Sequence, residues 1–227
     1  MLRDVLTGLL DLLAPPTCAA CRAPLDARSQ GFCEACHPLI DPCPRLAADA
    51  LDRDACVYGG PLRDALHRLK YQGASELAPV LARWLERPAA AWLEQLDCVA
   101  VVPLHARRLR ARGYNQSALL ARPLARALGL PFMPRLLARV RDTDAQVGKL
   151  RSERKAHLAG AFVACAASAG RTVLVLDDVR TTGATFEEAR RALTSAGARA
   201  VYTLALARAD QVEARALALA TYAEEVA

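Results

Sequence analysis

Residues 173–185 read V-L-V-L-D-D-V-R-T-T-G-A-T. Four branched apolar residues in a row do not alternate and are too short for a helix. They suit a strand buried on both faces, as in a parallel sheet. Two acids follow at its C-terminal end, and Asp177–Gly183 reads as a polar loop before a helix that starts near Ala184. In an open α/β sheet, ligands sit beyond the carboxyl ends of the strands. Backbone N–H groups from Thr181 to Ala184 would face outward at the helix start and accept a phosphate, aided by the hydroxyls of Thr181, Thr182 and Thr185. Gly183 permits close backbone approach. Asp177 and Asp178 above them would accept hydrogen bonds from two vicinal hydroxyls. A plain helix cap explains one threonine, but not both acids and the T-T-G run. The segment is not a P-loop, because no G-K-[ST] follows the turn.

The rest of the chain supplies the sheet. Residues 62–71 read as a helix ended by Gly73, and a second helix spans 76–85 with Leu77, Leu81 and Trp84 on one face. Residues 97–103 form a short apolar strand ending at Pro103. An arginine-dense loop follows, then a helix over 116–128. Residues 139–159 read as a long connection and 161–164 as a strand. The helix after Gly183 runs to about Ala196 with Gly197 at its C-cap, and 200–206 is another buried strand. Asp210 and Glu213 have capping-box spacing for a final helix. This strand–helix rhythm predicts an α/β fold with a mostly parallel sheet and helices on both faces.

Four of the eight cysteines form two tight pairs, Cys18 with Cys21 and Cys33 with Cys36. Two residues between thiolates let one turn present both sulfurs to one ion, and two such turns complete a tetrahedral site. The stretch between them is poor in apolar residues, so the metal would supply much of its stability. Structural zinc is the expectation. Disulfides compete with it, but no secretion signal is read at the N-terminus. For Cys43 and Cys56, with His37, an incomplete second metal module and simple burial both stay open. Cys98 and Cys165 are expected to pack in the core.

Residues 1–16 read as a short amphipathic helix, with Leu2, Leu6, Leu9 and Leu13 on one face and Pro15 and Pro16 ending it. No run of 18 uncharged apolar residues predicts a membrane span. An apolar fraction of 53% excludes a disordered chain. The net charge is +6, and lysine occurs only at Lys70, Lys149 and Lys155. Arginine suits bidentate phosphate contacts. Arg107, Arg108, Arg110 and Arg112 would neutralise a diphosphate or follow a nucleic-acid backbone, or form a solvated basic face. An aromatic fraction of 5% argues against extensive stacking on single strands. Asn115 and Gln116 would hydrogen-bond a base or cap the next helix. Arg141–Arg154, with Lys149 and Arg151, is a candidate lid. Lys70 reaches the site or finishes its helix, and His105 is a candidate acid–base residue.

The 173–185 segment resembles the phosphoribosyl-diphosphate signature of type I phosphoribosyltransferases. Nearly the whole chain resembles the ComF family: the metal turns, Y-G-G-P-L-R from Tyr58, L-K-Y at 69–71, V-P-L-H at 102–105, R-G-Y-N-Q at 112–116, Arg139, Gln146, Arg154, G-A-F at 160–162 and Ala207-Arg208 occur in order. His157 departs from the asparagine of many members, and the metal region is shorter than in some relatives. The resemblance implies a type I phosphoribosyltransferase fold over 58–227, a zinc-ribbon-like module over 17–57 and a helix over 1–16. It implies phosphoribosyl diphosphate bound with Mg²⁺, with Asp177 and Asp178 catalytic and the 181–185 turn on the 5-phosphate. Pro103, Leu104 and His105 are the candidate diphosphate loop. A cytoplasmic location, self-association, and a link to single-stranded DNA or the competence machinery are further expectations. A non-catalytic DNA- or nucleotide-handling protein is the alternative.

Overall fold

The computed structural model describes residues 16–26, 29–44, 50–141 and 158–209. The amphipathic segment before Pro16, the lid residues Lys149 and Arg151, and the helix expected from Asp210 lie outside them. The elements run β1 (Asp52–Val57), α1 (Gly60–Tyr71), α2 (Ala78–Ala90), β2 (Cys98–Val101), α3 (Ala106–Arg112), α4 (Gln116–Leu128), β3 (Leu137–Arg139), β4 (Phe162–Ala164), β5 (Thr172–Arg180), α5 (Ala184–Ser195) and β6 (Ala200–Arg208). Four strands make one parallel sheet in the order β1-β6-β5-β2. The β3–β4 pair is antiparallel and separate.

Burial on both faces explains the composition of β5. Leu174 and Leu176 pack with Leu81, Leu120 and Leu124 from α2 and α4. Val173 and Val175 pack with Phe186 and Leu193 from α5. The strand therefore carries its two acids to the crest between two helical layers, as its apolar run predicts.

The strand is longer than the sequence suggests. Asp177–Arg180 continues the ladder instead of forming a loop, with Asp177 opposite Ala205 and Arg180 opposite Arg208. Polar residues stay in the ladder here because each charge finds a partner. Arg180 donates from Nε to Asp54 Oδ1 at 2.6 Å and from NH2 to Thr203 Oγ1 at 2.8 Å. Asp54 belongs to β1, which reads D-R-D-A-C-V and shows no strand alternation. Residues 52–57, grouped in sequence with the metal module, are thus an edge strand of the main sheet. Arg190 of α5 also reaches Asp52 Oδ1, at 2.6 Å.

The cysteine turns pack against α1 and α2. Arg68 NH1 donates to the carbonyls of Cys18 and Ala19 at 3.0 and 2.8 Å. Phe32 is 2% exposed and meets the Trp84 ring edge-on, 6.4 Å between centroids. Gly31 fits so closely on α2 that a Cβ there would lie 2.0 Å from Val80 Cγ1. Cys98 is buried as expected, whereas Cys165 is exposed because it lies at the start of a 3₁₀ turn after β4. Among the described residues, no helix is long and apolar enough to cross a membrane.

Candidate functional site at the crest of β5

The acids are held unequally. Asp178 is 5% exposed, and the Lys70 ammonium of α1 forms an ion pair with its Oδ2. Asp177 is less buried. Its Oδ1 accepts from Ser117 Oγ at 2.7 Å and from the Asp178 N–H at 2.9 Å. Burial works against ionising Asp178, but Lys70 holds its carboxyl below the ordinary range, and Asp177 and Arg112 lower it further. Burial, and then the neighbouring charge of Asp178, push Asp177 up to about 7. Burial would depress Lys70, yet Asp178 raises it above its usual value. The two acids together thus favour one negative charge near neutrality, matched by one buried cation.

Beyond them, Gly183 takes a left-handed φ of +80° and stands at the N-cap of α5, with no side-chain cap bond. A Cβ at Gly183 would meet nothing within 4 Å. The crest is open there, as a phosphate cradle requires. Thr181 is exposed, Thr182 and Thr185 are half-buried, and Ala184 opens the helix. The Ala184 N–H points to Thr182 Oγ1 at 3.4 Å, so one helix-start donor is already partly engaged.

The residues between Pro103 and Gln116 sort differently from their sequence reading. The arginine-dense stretch is the helix α3, capped by His105, whose Nδ1 faces the Arg107 N–H at 3.4 Å. Pro103, Leu104 and His105 are half-buried beyond the end of β2. Arg107 and Arg110 are exposed, and Arg108 is half-buried. Arg112 turns inward: its guanidinium lies 4.9 Å from the Tyr71 ring centroid and donates to Gln116 Oε1 at 2.7 Å. Asn115 caps α4, accepting from Ser117 N and donating to the Val102 carbonyl, each at 3.0 Å. Both its polar ends are committed inside the protein, as is the Gln116 oxygen. The sequence left Lys70 between two roles and did not single out Ser117. Helical spacing gives no sign that either lies opposite the acids; only the placement of α1 and α4 does.

At the other end, Cys18, Cys21, Cys33 and Cys36 bring their four sulfurs within 4.8 Å of one another. Thiolates around one tetrahedral ion at about 2.3 Å stand roughly 3.8 Å apart. The Cys21–Cys33 separation is 3.6 Å, and the Cys33 N–H points at Cys18 Sγ at 3.4 Å. The set fits a metal such as zinc. Cys43 and Cys56 are not part of this cluster. The Cys43 N–H instead pairs with the Ala55 carbonyl at 2.9 Å, and Cys56 is fully buried, with burial pushing its thiol up to about 12.

The DNA utilization protein YhgH of Salmonella typhimurium is 32% identical over 224 residues, covering 87% of this chain and 99% of the relative. The chain belongs to the ComF family. Competence protein F of Haemophilus influenzae is 28% identical over 85% of the chain and 96% of its own length. Competence protein ComFC of Streptococcus pneumoniae is 30% identical over 67% of the chain and 66% of its length. No family model matches the chain. The solved structures similar to this ComF-family chain include the glutamine phosphoribosylpyrophosphate amidotransferase of B. subtilis, 21% identical with a TM-score of 0.39, covering 63% of this chain and 27% of that one. An adenine phosphoribosyltransferase is 17% identical with a TM-score of 0.36, covering 68% of this chain and 81% of that one.

Proposed function

We propose that this ComF-family protein binds phosphoribosyl diphosphate at the crest of β5 and transfers phosphoribose to a nucleophile, in a role tied to DNA uptake or utilisation. One observation carries the reading. Two adjacent carboxylates lie in the C-terminal half of a central parallel strand, and the next helix starts at a left-handed glycine with open space above it. The T-T-G-A-T turn would hold the 5-phosphate. Asp177 would accept from the ribose hydroxyls, with Asp178 behind it, and their charge would offset the cation that develops at the sugar carbon as diphosphate leaves. Pro103–His105, beyond the neighbouring strand, would face the diphosphate, with exposed Arg107 and Arg110 close in sequence. Oxygen donors such as Asp177 suit magnesium, which would arrive with the substrate and neutralise the leaving group. The four-cysteine cluster would hold structural zinc. The competence and DNA-utilization names of the relatives support the biological setting.

Calorimetry with Mg²⁺ and phosphoribosyl diphosphate tests the binding. The wild type should bind, and Asp177→Ala should not. A screen of bases and amines for diphosphate release then tests transfer. Equal heats from both proteins would end the proposal.

A further inference from the structure

Resting on that reading of the crest, we propose that Lys70 is a positioning residue that divides the work of the acid pair, fixing Asp178 as a buried carboxylate so that Asp177 is the acid that meets the ligand.

The placement is specific. Lys70 lies near the C-terminal end of α1, 108 positions from Asp178, and both side chains are at least nine-tenths buried. A buried ammonium facing a buried carboxylate stabilises little on its own. It does determine which neighbouring group carries charge. Asp178 spends Oδ2 on Lys70, while the more exposed Asp177 is steadied on one oxygen by Ser117 of α4. The helix bearing the cation is itself pinned. Tyr114 donates to the Leu69 carbonyl, and the Arg112 guanidinium covers the Tyr71 ring. The L-K-Y and R-G-Y-N-Q motifs thus meet around one buried lysine.

The charged and titratable groups around the pair are Lys70, Tyr58 and Tyr71 from the β1–α1 side and Arg112 from α3. Lys70 is the one in direct contact with a carboxylate oxygen. Without its charge, the strongest influence favouring the Asp178 carboxylate is lost, and the pair would hold its shared proton to higher pH. A ligand that needs the ionised pair would then bind well only in alkaline solution.

The test has one arm without ligand and one with it. In the first, carboxyl carbons of ¹³C-aspartate-labelled protein are titrated by NMR, with Asp177→Asn and Asp178→Asn assigning the signals. Lys70→Met should move the midpoint of the pair up by at least about one pH unit. Lys70→Arg, which keeps the charge, should leave it within about half a unit. Asp178→Asn, which leaves Lys70 in place, should move Asp177 down by about one unit and gives a second reading should Lys70→Met not fold. In the second arm, affinity for magnesium phosphoribosyl diphosphate is measured from pH 6 to 9. Lys70→Met should lose about tenfold or more at pH 7 and recover toward pH 9. A purely structural role would lower affinity equally at every pH. An unmoved midpoint in both Lys70→Met and Asp178→Asn overturns the inference. Absence of binding by the wild type with the midpoints shifted overturns the substrate reading and leaves the division of labour standing.

Discussion

The phenol of Tyr114 donates to the backbone carbonyl of Leu69, tying the turn before α4 to the last turn of α1. That carbonyl is among the last four of α1, which have no partner within the helix. The bond therefore satisfies an orphan acceptor and fixes the helix end next to Lys70. Tyr114→Phe should lower unfolding free energy by about 1 kcal/mol in urea titrations. It should also weaken phosphoribosyl-diphosphate binding, because α1 presents Lys70 less firmly. Loss of stability with full affinity would separate the tie from the site.

Much of this was legible in the sequence. Apolar runs reveal buried strands, so β2, β5 and β6 are legible, and glycine punctuation marks the ends of α1 and α5. The paired C-x-x-C turns foretold the sulfur cluster. Three features were not legible, for one shared reason: their stability comes from partners distant in sequence. Asp52 and Asp54 make β1 look like a loop until Arg180 and Arg190 neutralise them. Asp177–Arg180 look like a loop until Lys70 and Asp54 do the same. Arg112 looks like one member of a basic patch, but Tyr71 and Gln116 draw it inward. Hydrophobic periodicity carries no record of long-range charge pairing.

Asp177 links the site to pH. Its carboxyl ordinarily titrates near 3.8 and in the fold near 7. Between those values the folded chain keeps a proton that the unfolded chain has lost. The stability it contributes is therefore present in acid and falls as pH rises through that window. Asp177→Asn abolishes this dependence while still accepting from Ser117 and the Asp178 N–H. The variant should match wild type near pH 4 and exceed it at pH 8 by on the order of 1 kcal/mol or more in urea unfolding. It should nonetheless lose phosphoribosyl-diphosphate binding. A variant less stable than wild type at pH 8 would count against the raised carboxyl.

Metal removal should be felt beyond the cysteines. Arg68 joins the carbonyls of Cys18 and Ala19 to α1, two residues before Lys70. Without the ion, four converging thiol groups lose their common partner and the turn loses its fixed shape. Chelation, or Cys33→Ser, should lower the melting midpoint by several degrees. Amide exchange should accelerate first over residues 29–44 and then along α1. Metal analysis of the purified protein should give one zinc per chain. An unchanged exchange rate in α1 would confine the metal to local support.

Gly183 tests the phosphate cradle with the fewest side effects. Its φ of +80° is left-handed, so an L-residue there costs roughly 1–2 kcal/mol. Nothing lies within 4 Å of an added Cβ. Gly183→Val should therefore destabilise by about that amount and keep the fold by circular dichroism. The new methyl groups would occupy the space assigned to the 5-phosphate. Affinity for phosphoribosyl diphosphate should fall at least about tenfold, a loss of some 1.4 kcal/mol. Free ribose, which has no phosphate to place, should bind the variant and the wild type equally weakly. If the variant held the full ligand as tightly as wild type, the phosphate would have to sit elsewhere than at the start of α5.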